Sequence, residues 1–386
     1  MRGARRTLGP IALTFLGTAS ASPSLTRNHS ALALRLSGDV WLFDCGEATQ
    51  HQFQKSVLRL GKVKKIFVTH THGDHIFGLV PLMASLANGS GGTVEVVEDP
   101  RAQPEEDIEP LEIYGPLGTR AYVRACLTYT HTLLGAPYVV HELRYPADPP
   151  DGDHTSLPYH ASELHTGKNI LQDNGIWKDI FADGVVSVSS APIQHSVPCV
   201  GYVVLEAPVP GKMDPKQYVP SLARTKTPMS VMSRLQQGES VQLSDGTVLQ
   251  GPPRRPGRKI VILGDTYDPS PIVDIASSAD LLIHEATNAY LPGIDSNTKI
   301  TDTFESVEER ARSRGHSTPQ MAGAFATRIG ARKLVLNHFS SRYAGHDDVD
   351  PGAGMVMEAI AKLAGAHFSG EIICARDLMT LDVDSP

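Results

Sequence analysis

Apolar positions along this chain fall mostly in short runs, and the spacing of those runs predicts the elements. In the first half the runs ALTFLG, ALALRL, VWLFDCG, KIFVTH, LEIYG and YVVHEL read as strands, often joined by tight turns. Helical patterns fall at 76–88 and 119–129. A stretch rich in Pro, Asp and His, from 145 to about 183, reads as a loop. Strands resume with VVSVSSAPI and CVGYVVLE. KIVILGD, ADLLIHEA and KLVLNHF then alternate with helical patterns at 319–329 and 355–366. Strands followed by a strand–helix alternation predict an α/β architecture of two sheets sandwiched between helices. No apolar run approaches the roughly 18 residues of a membrane span, so no membrane partner is expected.

Between CVGYVVLE and KIVILGD lies a segment with eight prolines (208, 210, 215, 220, 228, 252, 253 and 256). That density predicts a projecting arm at 207–257 without regular core elements. It is inserted into one domain made of 11–206 and 258–386. Residues 1–10 are expected to form a flexible tail, arginine-rich and without an apolar core, hence not a secretory signal. The expected compartment is cytoplasmic or nuclear, with a mitochondrial address left open.

Charge changes this picture at one place. The chain carries a net −7, yet 207–259 holds nine Lys/Arg against three Asp/Glu, which leaves −13 for the rest. Residues 88–112 alone have eight acids and one arginine. A basic arm on an acidic body suits contact with a polyanion; the alternative is a solvated loop whose charges only keep it soluble. The four cysteines, 45, 126, 199 and 374, show no CxxC pairing and are expected as buried free thiols.

The chemistry concentrates in VTHTHGDHIFGL, where His70, His72, Asp74 and His75 form an HxHxDH cluster. Zinc takes about four ligands, but His70 and His72 alternate out of a strand end one way while Asp74 and His75 turn toward a neighbouring position, which suggests two adjacent metal sites. Three later strands each lead to a further donor: His195, Asp265 and His338. Five His and two Asp suit two zinc ions, with manganese or iron as substitutes. The division expected is His70, His72 and His195 on one ion, Asp74, His75 and His338 on the other, and Asp265 between them. Such a pair suits in-line hydrolysis of a phosphodiester. HEAT at 284–287 and GHST at 315–318 add a candidate pair, Glu285 holding His316, with His316 near the scissile phosphate or the leaving oxygen. Ser317 or Thr318 alternatively serves only as a helix cap.

HxHxDH between a strand and a helix resembles the metallo-β-lactamase superfamily, whose fold is an αβ/βα sandwich. FDCGEATQHQ (43–52), HIFGL (75–79), HSVPCVGY (195–202), LGDT (263–266), HEAT, HST and NHFSSRY (337–343) resemble ribonuclease Z more narrowly, in its short form. The resemblance runs from about residue 11 to the C-terminus. It implies removal of the 3′ trailer from precursor tRNA, a homodimer, an arm that clamps tRNA, with Arg224, Lys226 and Arg234 here as its candidate RNA contacts, and Asp74 as general base as well as, or instead of, ligand. Two departures stand out: Ala48, where the family usually has glycine, and an arm without a PPGPxY-like string. Two rival readings remain at this point. One is a metallo-hydrolase of small phosphodiesters or thioesters; the other is a non-catalytic RNA-binding subunit with the same fold.

Overall fold

The computed structural model describes residues 8–87, 109–152, 155–346 and 350–384. Most of the acidic stretch, 88–108, and most of the N-terminal tail lie outside the described residues.

Two sheets face each other. The first runs in the order Thr380–Val383, Ile11–Gly17, Ala31–Leu36, Asp39–Phe43, Val63–Phe67, Leu111–Pro116, Tyr138–Arg144 and Asn169–Leu171. It is antiparallel up to Asp39–Phe43 and parallel beyond. The second runs Glu371–Cys374, Lys333–Asn337, Leu281–Glu285, Lys259–Leu263, Cys199–Glu206, Val186–Ile193 and Trp177–Ala182. Its first four strands are parallel. Most strands bury both faces, which is why they read as nearly continuous apolar runs rather than alternating ones.

Inner faces of the two sheets share one core. Phe43, Phe67 and Tyr114 stack at centroid spacings of 5.0 Å, and Tyr202 of the second sheet meets Phe67 edge-on at 5.4 Å. Such aromatic pairs contribute about 0.5–1.5 kcal/mol each beyond area burial. The outer face of the first sheet is covered by helices Thr49–Lys55, Leu79–Ala87 and Thr119–Tyr129. Pro319–Arg328 and Ala353–Gly365 cover the second. The layers are therefore helix, sheet, sheet, helix, as the pattern predicts.

Three expectations need correction. The helix expected at 76–88 is two helices, Gly73–Ile76 and Leu79–Ala87, with residue 88 outside the described residues. At the break, a side chain on Gly78 would overlap the Gly46 carbonyl, so chain and loop approach as only glycine permits. The loop expected at 145–183 contains strands Asn169–Leu171 and Trp177–Ala182, the latter burying Trp177 against Tyr145.

The arm is not irregular. It forms helices Val219–Arg224 and Val231–Gln236 and a hairpin of Ser240–Gln242 with Val248–Gln250. Pro220 sits in the first helical turn, where its missing N–H costs nothing. Tyr218, Leu222, Leu235, Val241 and Leu243 close a small core separate from the main ones. A neck of Val209 bonded to Arg255, and of Glu206 gripped by Arg258 at 2.8 and 2.9 Å, ties the arm to the body. None of the four cysteines is paired; Cys45 and Cys199 are buried, Cys126 and Cys374 half-buried. Among the described residues no helix is long and apolar enough to cross a membrane.

Candidate active site

Parallel strands deliver their C-terminal ends to one rim, where open α/β sheets place their sites. Val63–Phe67 leads through His70 and His72 into helix Gly73–Ile76, which carries Asp74 and His75. From the second sheet, His195 follows Val186–Ile193, Asp265 follows Lys259–Leu263, Glu285 ends its strand, and His338 follows Lys333–Asn337. The seven candidate donors thus come from both halves of the chain and meet.

They meet as two groups. His70, His72 and His195 bring one ring nitrogen each within 4.8 Å of one another, and so do Asp74, His75, Asp265 and His338 with one atom each. His72 Nδ1 lies 3.2 Å from both His70 Nε2 and His195 Nε2. In the second group His75 Nε2 and His338 Nε2 are 3.1 Å apart. Asp265 straddles the two. Its Oδ2 is 3.8 Å from His70 and 4.0 Å from His195, while its Oδ1 is 3.3 Å from both His75 and His338. Asp74 Oδ2 lies 3.6 and 3.5 Å from the same two histidines.

Whether this set fits metal ions is decided by the far side of each ring. His75 Nδ1 reaches Asp44 Oδ2 at 2.7 Å, and His195 Nδ1 reaches the Gly315 carbonyl at 2.8 Å. His70 Nδ1 meets Thr69 Oγ1 at 3.0 Å; that hydroxyl donates to Asp44 and so accepts from the ring. His338 Nδ1 meets Thr287 Oγ1 at 3.2 Å under the same constraint, since Thr287 donates to Glu285. Four rings therefore carry their proton outward and turn the Nε2 lone pair into the site, the tautomer that metal ligation needs. The residues fit divalent cations.

The carboxylates favour positive charge among these rings, whether a proton or a cation supplies it. Burial disfavours a charged His75, but Asp265 and Asp44 outweigh it and hold its pKa well above the usual histidine range. Burial likewise opposes ionisation of Asp265, yet His338 and His75 keep that carboxyl well below its usual range. Asp74 is lowered too, because the His338 contact and the charges of His75 and His338 overcome burial. His70 and His195 are pushed down by burial first. The pocket draws positive charge to its centre.

At the rim, His316 Nδ1 stands 3.1 Å from Glu285 Oε1 and 3.7 Å from Asp265 Oδ2. Burial opposes the charged ring, but Glu285 outweighs it and lifts the His316 pKa to about 9. Glu285 is fixed by Thr266 N–H and Thr287 Oγ1, each donating at 2.7 Å. Gly315 has φ 85°, and a side chain there would meet the His195 ring at 2.5 Å, so glycine lets the carbonyl reach that histidine. Thr318 occupies the N-cap position of Pro319–Arg328, whereas Ser317 donates to the Thr266 carbonyl at 2.6 Å.

Arg224 and Arg234 lie on the arm, exposed, and each pairs with a nearby acid, Asp245 at 2.8 Å and Glu239 at 2.9 Å. Lys226, in the same segment, is exposed and has φ 53°. None of the three is part of the clustered site. Sequence reasoning left Asp44, Thr69 and Thr287 without roles. Asp44 carried a usable signal, a polar residue at the exit of an apolar strand.

The comparisons fit this geometry. A family model described as anti-Pycsar protein Apyc1 matches residues 11–93. The zinc phosphodiesterase ELAC protein 1 of Bos taurus is 40% identical over 350 residues, covering 86% of each chain. The ribonuclease Z of Prochlorococcus marinus (strain MIT 9313) is 36% identical over 381 residues, covering 96% of this chain and 97% of the relative. The crystal structure of human tRNase Z, short form (ELAC1), superposes with a TM-score of 0.60 at 31% identity over 97% of this chain and 99% of that one. The metallo-beta-lactamase fold protein YhfI from Bacillus subtilis, 17% identical, matches at 0.54 over 97% and 99%, a likeness of fold alone. With a shared fold and this much identity along nearly its whole length, the chain belongs to the ribonuclease Z family.

Proposed function

We propose that the chain is a zinc-dependent endoribonuclease that removes the 3′ trailer from precursor tRNA. It leaves a 3′-hydroxyl on the tRNA and a 5′-phosphate on the trailer. What carries the reading is the pair of donor groups sharing Asp265, with His316 on Glu285 at their rim. His70, His72 and His195 would hold one Zn2+ and Asp74, His75 and His338 the other, with Asp265 common to both; Mn2+ or Fe2+ are substitutes. When bound, such ions supply positive charge against the phosphate oxygens and acidify the attacking water.

The protein's own groups do the rest. Asp74, its Oδ2 held by the Ala21 N–H at 2.8 Å, accepts or steers the proton of the incoming water. His316, kept protonated by Glu285, hands a proton to the departing 3′ oxygen or steadies the phosphate. Glu285 acts through His316 as a positioning residue. The arm, 207–257, grips tRNA backbone away from the cut through Arg224, Lys226 and Arg234. Shape rather than sequence is then recognised, because base edges of an A-form helix are poorly accessible. A homodimer, one subunit's arm serving the other's site, and a cytoplasmic or nuclear workplace complete the reading.

The test is cleavage of a trailer-bearing precursor tRNA by wild type beside Asp74→Ala and His316→Ala, with both new ends mapped. One cut at the trailer boundary is expected, with a loss of about 10²–10⁴-fold in each variant. Zinc-replete wild type that ignores precursor tRNA while hydrolysing small diesters would overturn the reading. Sedimentation of the active species, alone and with tRNA, checks the dimer.

A further inference from the structure

We propose that a basic hollow beside the active site seats a second backbone phosphate of the substrate, apart from the one being cut; this rests on the RNA substrate proposed above. The hollow has a volume of about 220 Å3 and is lined by Lys299, Arg310, Arg314 and Arg342, with Asp302 the single carboxylate among its lining residues. In a chain of net −7, four cations around one small cavity form a strong local concentration of positive charge.

Its walls are outward continuations of the loops that carry the catalytic groups. Asn288 and Ala289, both lining it, directly follow Thr287, which bonds Glu285. Arg314 precedes His316 by two residues, and Arg342 follows His338 by four. Arg310 is pinned at 3.0 Å by Asp302, and Arg342 at 2.9 Å by Asp295. Lys299 and Arg314 form no close side-chain ion pair among the described residues, although Asp302 accepts the Lys299 N–H and lies within reach of its charge, and both residues are exposed. Two anchored guanidiniums shape the hollow, and two cations without a close ion pair are left to answer an anion. A phosphodiester next to the scissile one supplies that anion and would fix the register of the strand over His316. Guanidinium geometry suits two phosphate oxygens at once.

The experiment measures cleavage of precursor tRNA over a series of KCl concentrations by wild type, Arg314→Ala, Lys299→Ala, the double variant and Arg314→Lys. Losing one phosphate contact on single-stranded RNA makes the slope of log KM against log[KCl] shallower by about 0.7. The double variant is expected to raise KM by about tenfold with kcat little changed. Arg314→Lys should keep most of the slope. Substrates with one-nucleotide and long trailers then locate the phosphate: an effect seen only with long trailers places it downstream of the cut, an effect seen with both places it upstream. If wild type cleaves normally and the double variant, with unaltered melting and zinc content, keeps both KM and slope, the hollow holds no phosphate. A wild type that cuts no precursor at all would instead remove the functional reading beneath it.

Discussion

Leu222→Ala should loosen the arm without touching the catalytic body. Leu222 is fully buried in a cluster whose other buried members are Tyr218, Leu235, Val241 and Leu243. Truncating a buried leucine costs about 3 kcal/mol, part lost transfer and part residual cavity. The main cores contribute nothing to this cluster, so the loss falls on local opening of the arm rather than on global unfolding. Three kcal/mol corresponds to about a 150-fold rise in the opening equilibrium. Hydrogen exchange read by mass spectrometry should therefore accelerate by about that factor in peptides spanning 218–250, and not in those spanning 259–285. KM for precursor tRNA should rise while hydrolysis of a small phosphodiester keeps its rate. Exchange accelerating equally in both regions would refute the reasoning, since arm and body would then form one cooperative unit.

Three further outcomes follow from particular contacts. Glu285→Gln keeps one acceptor oxygen for the Thr266 N–H, leaves Thr287 Oγ1 to donate to the His338 carbonyl, and removes the charge facing His316, so kcat on precursor tRNA should fall about 10–100-fold with KM nearly constant; an unchanged kcat would separate His316 from Glu285. Ala48 adopts φ 60° where the family usually has glycine, so Ala48→Gly should raise stability by about 0.5–1 kcal/mol in urea unfolding; a loss would contradict the strain. His141 is held down to about 4 by burial, which outweighs Glu112, with Lys168, Arg120 and Lys65 pushing the same way as burial. Below its ordinary 6.5 the unfolded chain binds that proton and the folded one does not, so stability falls as pH drops from 6.5 towards 4. His141→Gln in chelator should remove about 2 kcal/mol of the wild-type difference between pH 7.5 and pH 4.5, after allowance for solvent screening; an equal difference in both proteins would refute it.

Strands were the most legible part of the chain because both faces are buried, and an unbroken apolar run such as KIVIL needs no partner to be recognised. Trp177–Ala182 was hidden for the opposite reason. It is an edge strand whose burial follows no alternation, its pairing broken by a register shift, and its one deeply buried side chain, Trp177, resembles an isolated loop anchor. Helix Phe304–Ser313 buries only Val307 and Ala311, too narrow a stripe to stand out from its charged face. In the arm, prolines were read as breakers, although Pro220 begins a helix and others flank the elements. The seven donors were conspicuous because they form one dense cluster plus three strand exits. Asp44 and Thr287 were not, since each acts through another side chain and a sequence does not show which ring a carboxylate or hydroxyl will face. The pairing of Glu285 with His316 spans 31 residues and depends on where two loops meet.

The division of the donors between two sheets bears on how such a nuclease is made. A nascent chain that has emerged as far as residue 200 holds His70, His72, Asp74, His75 and His195, but not the carboxylate that joins their two groups. Asp265 and then His338 arrive later, and strand Thr380–Val383 must still travel back to the edge of Ile11–Gly17. Contacts so distant along the chain are slow to close. A ribosome-bound fragment that stops short of His338 thus lacks the full set of seven donors, and the two groups are joined and closed only after that residue has emerged.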